Sequence, residues 1–204
     1  MKEILKKIYL FKELSEDELD ELIAISSVFN YKKDSQLFMS GEMGEHLLII
    51  IEGDISLYKH DSKGNEIVIG FLSPYSLIAE AAILRGIPFP SSALFKTDGR
   101  VLKIQMNKFR ESFLSNPKIS TEIINSLLSK IQLLQQNIHL TIASTAKEKI
   151  LHFYDTNSSI ASKLKKYEIA TLLSISPETF SRNLNALIND KKLQKTPTGY
   201  ALVK

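Results

Sequence analysis

The chain has no cysteine among its 204 residues. That absence removes disulfides, thiolate metal sites, cysteine-ligated iron–sulfur clusters and cysteine nucleophiles together. Long apolar runs are missing too: none reaches the about 18 residues that a membrane-spanning helix requires, so no membrane partner is expected. The opening MKEILKKIYLFKELSEDELDELI is charged and helical in period. It lacks the apolar block and small-residue cleavage site of a signal peptide, which points to a cytoplasmic protein. With 44% hydrophobic and 24% charged residues the composition excludes disordered and collagen-like classes. The length suits two modules better than one or three.

What charge there is lies unevenly. Residues 1–143 hold 16 Lys and Arg against 18 Asp and Glu, whereas residues 144–204 hold 10 against 5. A basic segment joined to a slightly acidic one suits a polyanion-binding module attached to a sensing module, because phosphate neutralisation supplies most non-specific nucleic-acid affinity. A solvated lysine-rich surface is the plainer alternative.

Three textures follow one another along the chain. Leu5, Ile8, Tyr9, Leu19, Leu22, Ile23 and Ile25 sit at helical spacings, interrupted near Leu14, where Ser15-Glu16-Asp17-Glu18 reads as a capping box; two short helices are expected. From Val28 to Ile104 the runs HLLIIIEG, DISLYKH, EIVIGFL, SSALFKT and RVLKI alternate with glycine-bearing turns, the pattern of an antiparallel β-roll. Gly41-Glu42-Met43-Gly44 reads as one of those turns. LIAEAAILRG, residues 77–86, interrupts the strands with an expected short helix. After Asn116-Pro117 a helical pattern runs to about Ala143, with Ile124, Ile131 and Ile138 seven apart and Leu127, Leu134 and Thr141 three behind each. Isoleucine at a and leucine at d favour a parallel two-stranded coil. Ile123, Leu128 and Ile142 remain as an edge for the β module, so a homodimer is expected with this helix on its axis. The expected domains are 1–115 (sensor), 116–143 (dimerisation helix) and 144–204. The last opens with a second capping box, Thr145-Ala146-Lys147-Glu148. Ser144 to Lys147 also matches S-x-x-K, but the partner segments of that acyl-enzyme motif are absent. With no activated serine or metal cluster in view, an enzyme is not expected.

Residues 167–188 read YEIATLLSISPETFSRNLNALI. Ile169, Leu172 and Leu173 form the buried side of one helix, Ser174-Ile175-Ser176 a short turn, and Ser176 caps a second helix with Pro177 at its first position. That is a helix-turn-helix. Phe180, Leu184, Leu187 and Ile188 face inward on the second helix, leaving Glu178, Ser181, Arg182 and Asn185 outward. Arg can fork onto guanine and Glu can accept from cytosine N4, so these four are the expected base-reading set. Lys191, Lys192 and Lys195 lead into a two-stranded wing, LQKTPTGYALV, turning at Pro197 to Gly199. With Thr179 they are the expected phosphate contacts, which position without specifying.

Together, FMSGEMGEHLLIIIEGDISLYKHDSKGNEIVIGFL, the short helix with AEAA, the long helix after NP and ISPETFSRNLNAL with its wing resemble the CRP/FNR superfamily of bacterial transcription regulators. The resemblance implies an α+β fold: an N-terminal antiparallel β-roll of the cyclic-nucleotide-binding jelly-roll type, a long dimerisation helix and a C-terminal winged helix-turn-helix. It also implies a homodimer on an inverted-repeat DNA site, RNA polymerase as a further partner, and Glu178, Ser181 and Arg182 as base readers. The E-x-x-S-R spacing is similar to the FNR branch, which implies a TTGA-like half-site. The chain departs from the family pattern at Lys165, where a threonine often caps the first helix, at Ser174, where glycine is common, and at Pro177, where a basic residue is common.

The family's cyclic-nucleotide branch grips its phosphate with Gly-Glu in the short helix and Arg-Ser beyond it. Those positions are Ala79-Glu80 and Pro90-Ser91 here, and the Thr-Ser pair of the dimer helix falls on Leu134-Gln135. Losing the arginine removes the charge that balances a cyclic phosphate, so cyclic AMP is not the expected effector. Glu80 is expected in structural hydrogen bonds. With no cysteine for a cluster, the chain looks most like the branch resembling dissimilatory nitrate respiration regulators, which leaves haem as a candidate cofactor and His46, His60, His139 and His152 as candidate axial ligands. The expected effector pocket is apolar: Leu77, Ile78, Ala79, Glu80, Ala82, Ser91 and Leu134. A haem-free ligand-binding module acting through a protein partner is the alternative function.

Overall fold

The computed structural model describes residues 1–62, 64–157, 161–162, 164–197 and 199–203; along residues 133–143 it describes the helical backbone and, of the side chains, those of Leu134 and Gln135. The chain forms two compact units, Met1–Lys130 and Ile131–Lys204. The division falls inside the long helix, between the expected ends of its dimerisation segment.

The first unit opens with α1 (Lys2–Leu5), a 3-10 turn (Tyr9–Phe11) and α2 (Glu16–Ala24). Ser15 makes the expected capping box: its hydroxyl accepts from Glu18 N at 3.3 Å, and its own N–H donates to the Glu18 carboxylate at 2.7 Å. The Ser15 N–H first, and its hydroxyl second, hold the Glu18 carboxyl below its usual range. Ile25, counted above with the helix, ends it as C-cap.

Eight strands follow: β1 (Ser26–Tyr31), β2 (Gln36–Phe38), β3 (His46–Glu52), β4 (Ile55–His60), β5 (Glu66–Leu72), β6 (Leu77–Ile78), β7 (Ser92–Phe95) and β8 (Gly99–Gln105). They form two antiparallel four-stranded sheets, ordered β1-β8-β3-β6 and β2-β7-β4-β5. One apolar core joins them, with Leu47, Ile49 and Val101 from the first sheet and Ile55, Ala93 and Phe95 from the second. The run Leu47 to Ile51 is buried throughout, as a centrally placed apolar strand must be. Turn chemistry fixes the β3–β4 connection: Gly53 sits at φ +90, and a Cβ there would meet the Asp98 carbonyl at 2.7 Å.

The helix expected over residues 77–86 is a correction. Leu77 and Ile78 instead pair as β6 with Ile49 and Leu48, and only Glu80–Arg85 is helical, as α3. Apolar pairing on an open sheet edge wins over local helix propensity. Ala79 turns the chain between them at φ 51, in the left-handed region.

Helix α4 (Met106–Ser112) leads to α5 (Pro117–Ala143). Ile119 and Ile123 of α5 are buried in the roll's core and Leu127 is half-buried against it. Leu128, assigned above to that edge, is 51% exposed, and Leu127, assigned to the seam, faces the core. Three residues after Ile124 is too few to stay on its outward side here; four are needed, because the core edge itself runs 119, 123, 127. The outward stripe is therefore Ile124, Leu128 and Ile131, with Leu134 also exposed. The side chains of Ile138, Thr141 and Ile142 lie outside the described residues.

The second unit holds α6 (Ala146–Thr156), α7 (Lys166–Leu172), α8 (Pro177–Asn189) and a two-stranded hairpin of β9 (Leu193–Thr196) and β10 (Gly199–Leu202). Thr145 makes the second capping box, accepting from Glu148 N at 3.3 Å and donating to its carboxylate at 2.7 Å. Ile150, Phe153, Ile169, Phe180, Leu184, Leu187 and Leu193 form a separate core. Lys147 and Asp190 close the far ends of α6 and α8 with an ion pair at 2.8 Å.

Candidate functional site

The helix-turn-helix is built by local chemistry. Lys165 cannot cap α7 with its side chain, yet its N–H donates to the Glu168 carboxylate at 2.8 Å, which preserves half of a capping box. Leu173 to Ser176 make the turn, with Ser174 at φ 53 where glycine would be unstrained. Ser176 caps α8 by accepting from Thr179 N at 3.1 Å, and Pro177 occupies the first position, where a missing N–H costs nothing.

Burial then sorts the faces of α8. Phe180, Leu184 and Leu187 are 0–1% exposed, whereas Glu178, Arg182 and Asn185 are exposed and Ser181 half-buried. Positions 178, 181, 182 and 185 are three and four apart, so the structure brings the four expected base readers onto one face. The Glu178 carboxyl is held below its usual range by its own backbone N–H and the Ser176 hydroxyl. Ionised, it accepts and cannot donate. Lys191, Lys192 and Lys195 are exposed beyond the helix, with Lys191 at φ 54 turning the chain into β9. Thr179 is half-buried and its hydroxyl accepts from Ser176 at 3.1 Å, so its side chain already serves the cap. The hairpin leans on α6 through Tyr154 and Tyr200, edge to face at 6.2 Å, and burial pushes the Tyr154 hydroxyl up to about 12.

In the first unit the expected effector residues are mostly interior. Leu77, Ile78, Glu80, Ala82 and Ser91 are 0–7% exposed and Ala79 is half-buried; Leu134 is 60% exposed and belongs to the second unit. Two cavities of the first unit lie elsewhere. One of about 460 Å³ is lined by Tyr31, Lys32, Glu52, Asp98 and Arg100, whose charges pair as Lys32–Asp98 and Arg100–Glu52, both at 2.9 Å. The other, about 150 Å³, lies among Phe38, Glu42, Met43, His46 and Phe89. Phe89 stacks on Phe38 at 4.0 Å and fills the space where a side chain on Gly44 would stand.

Among the described residues, His46, His60 and His152 as placed do not fit a haem. His46 borders that smaller cavity, well below the roughly 300–1,000 Å³ of ligand sites. His60 is exposed, edge-on to Tyr58, and His152 is half-buried on α6. The side chain of His139 lies outside the described residues. Among the described residues no three His, Asp or Glu cluster as a metal site.

Glu80 is paired, by a residue that sequence reasoning missed. Lys130 of α5 donates to its carboxylate at 2.5 Å and to the Leu77 carbonyl at 3.0 Å. A signal existed: Lys130 continues the core-facing edge of Ile119, Ile123 and Leu127, where a lysine needs a buried acceptor.

Similarity to known proteins runs along both units. The cyclic nucleotide-binding domain family matches residues 28–116. The cyclic AMP receptor protein of Thermus thermophilus is 24% identical over 207 residues, covering 92% of this chain and 89% of its own. FixK2 from Bradyrhizobium japonicum superposes with a TM-score of 0.74 at 18% identity, covering 88% of this chain and 93% of that one. DNR from Pseudomonas aeruginosa gives a TM-score of 0.55 at 19% identity, covering 100% and 93%. The chain is thus similar to CRP-like regulators over about nine tenths of its length, matches the cyclic nucleotide-binding domain along its β-roll, and shares the fold of these solved structures.

Proposed function

We propose that this chain is a sequence-specific DNA-binding transcription regulator that acts as a homodimer and responds to a signal other than cyclic AMP. The observation that carries the reading is α8: three fully buried apolar residues on one side and an exposed Glu178-Arg182-Asn185 face on the other, presented by a capped helix-turn-helix. Arg182 forks onto guanine, Glu178 accepts from cytosine N4, and Ser181 and Asn185 complete the contact to base edges. Lys191, Lys192 and Lys195, with Thr179, sit towards the phosphates. RNA polymerase is the further partner that such a regulator implies.

The dimer rests on Ile124, Leu128 and Ile131, each about half exposed on a 27-residue helix. An apolar stripe on a long helix is covered by a second helix rather than left to water. Two-fold symmetry then sets two copies of α8 into successive major grooves about 34–36 Å apart, so the operator is an inverted repeat, with TTGA-like half-sites.

The T. thermophilus relative is named for cyclic AMP. This chain has Pro90 where the phosphate-balancing arginine would stand, and its Glu80 is already engaged by Lys130. The effector is therefore a different molecule, received near α3 and the residues that pack beneath it. Selection of a duplex from a random pool, followed by competition against a scrambled duplex, tests the reading, with the solution mass measured alongside. Selective binding by a species of twice the chain mass is expected. A single-chain mass, or equal competition by the scrambled duplex, defeats it and favours a ligand-binding module that acts through a protein partner.

A further inference from the structure

We propose that the Lys130–Glu80 pair is a latch through which the β-roll fixes the course of α5 and so sets the affinity of the second unit for DNA. The DNA part of this inference rests on the function proposed above.

Of the four buried polar residues described, Ser56, Glu80, Ser91 and Ser92, Glu80 alone can carry a charge. A carboxylate taken out of water needs a partner of opposite charge and further hydrogen bonds. Lys130 supplies the opposite charge through a bond to Glu80 on α3, and the same ammonium donates a second bond to the Leu77 carbonyl on β6. A single ammonium therefore ties α5 to two elements of the roll.

Its place on α5 gives the pair its consequence. Ile119 and Ile123 grip the roll by burial, and Leu127 is half-buried. Lys130 is the last residue of the first unit, and Ile131, Gln132, Leu134 and Gln135 beyond it are all exposed. The apolar grip on the roll weakens along α5 from Ile119 to Leu127, so the Lys130 bonds to Glu80 and the Leu77 carbonyl are the last tie before the helix leaves the first unit. The two ends of the ion pair are unequal: the Glu80 side chain is 3% exposed and that of Lys130 37%. Water can therefore reach the lysine while the carboxylate stays dry. Pulling the ammonium away leaves a buried charge unpaired, so the pair has two states, closed, or open with α3 rearranged to hydrate Glu80. Ala79, in the left-handed region immediately before Glu80, puts strain at the point where α3 would turn. Any ligand or packing change that moves α3 is thereby coupled to the last anchored turn of α5.

The test uses the full chain with Lys130→Met, Glu80→Gln and the conservative Lys130→Arg. Hydrogen–deuterium exchange is followed over residues 77–86, 117–143 and 177–189, together with affinity for the selected duplex. Lys130→Met is expected to speed exchange in α3 and the C-terminal half of α5, to leave α8 unchanged, and to weaken DNA binding about tenfold, within the usual range of coupling between sites. Lys130→Arg should restore both. Should Lys130→Met fail to fold by circular dichroism, the isosteric Glu80→Gln decides by the same two readouts. Unchanged exchange, DNA binding that is unaltered or tighter, or failure of the arginine to rescue overturns the latch. If the unaltered chain shows no preference among duplexes, the proposed function fails instead, and the exchange measurement still decides whether the pair holds α5.

Discussion

The two units place their informative polar groups in opposite surroundings. On α8 of the second unit Glu178, Arg182 and Asn185 stand in water, backed by Phe180, Leu184 and Leu187. In the first unit Glu80 is enclosed and meets Lys130, fifty residues away. An exposed polar face needs only helical periodicity and a cap to be set out for a partner. A buried charge needs a partner delivered by the whole fold. The exposed face of α8 is therefore set locally, whereas the Glu80–Lys130 pair is set by the whole first unit.

The largest expected effect tests that difference. Phe180 is fully buried, and replacing such a phenylalanine with alanine costs about 3–5 kcal/mol. Phe180→Ala should lower or abolish the melting transition of the second unit and leave the β-roll transition in place; calorimetry showing both transitions moving together would end the comparison. Next in size, Arg182→Ala should remove about 1–3 kcal/mol of discrimination at one base pair of each half-site, read by competition with single-base variants. Lys192→Ala should instead weaken all sequences alike and flatten the salt dependence by about one unit. If the two variants behave identically, the separation of reading from positioning is wrong.

Smaller effects sharpen the contrast through the backbone. Ser174 and Ala79 both hold positive φ without being glycine, one in each unit. Ser174→Gly should stabilise the second unit by up to about 1 kcal/mol, because glycine adopts this conformation without the Cβ clash. Ala79→Gly should give the first unit less, since the Ala79 methyl packs on the core. Denaturant midpoints of the two transitions measure both. The smallest effect is at alkaline pH. The Tyr154 hydroxyl stands at about 12 against an ordinary 10, so the folded state keeps its proton where the unfolded chain has lost it. Stability of the second unit should fall as pH rises from about 10 to 12, and Tyr154→Phe should remove that loss while leaving neutral pH unaffected.

Much of the second unit was legible in the sequence because its cues act over three or four residues: the Thr145 and Ser176 caps, Pro177 at a helix start, and the apolar spacing of Phe180, Leu184 and Leu187. The roll's long apolar runs were equally plain. What escaped were elements chosen by distant neighbours. Leu77 and Ile78 became a strand because Ile49 and Leu48 offered an edge, and the outward stripe of α5 passed from Leu127 to Leu128 because the core lay on the other side.

Sequence alone thus determined the order of parts and the chemistry of α8, since hydrophobic period, caps and turn residues are properties of neighbours along the chain. Only the tertiary structure decided that Lys130 closes on Glu80, that Phe89 fills the interior beside Phe38, and which side of α5 is left to water. Those outcomes depend on which surfaces the folded chain brings together, and no short window of residues contains that information.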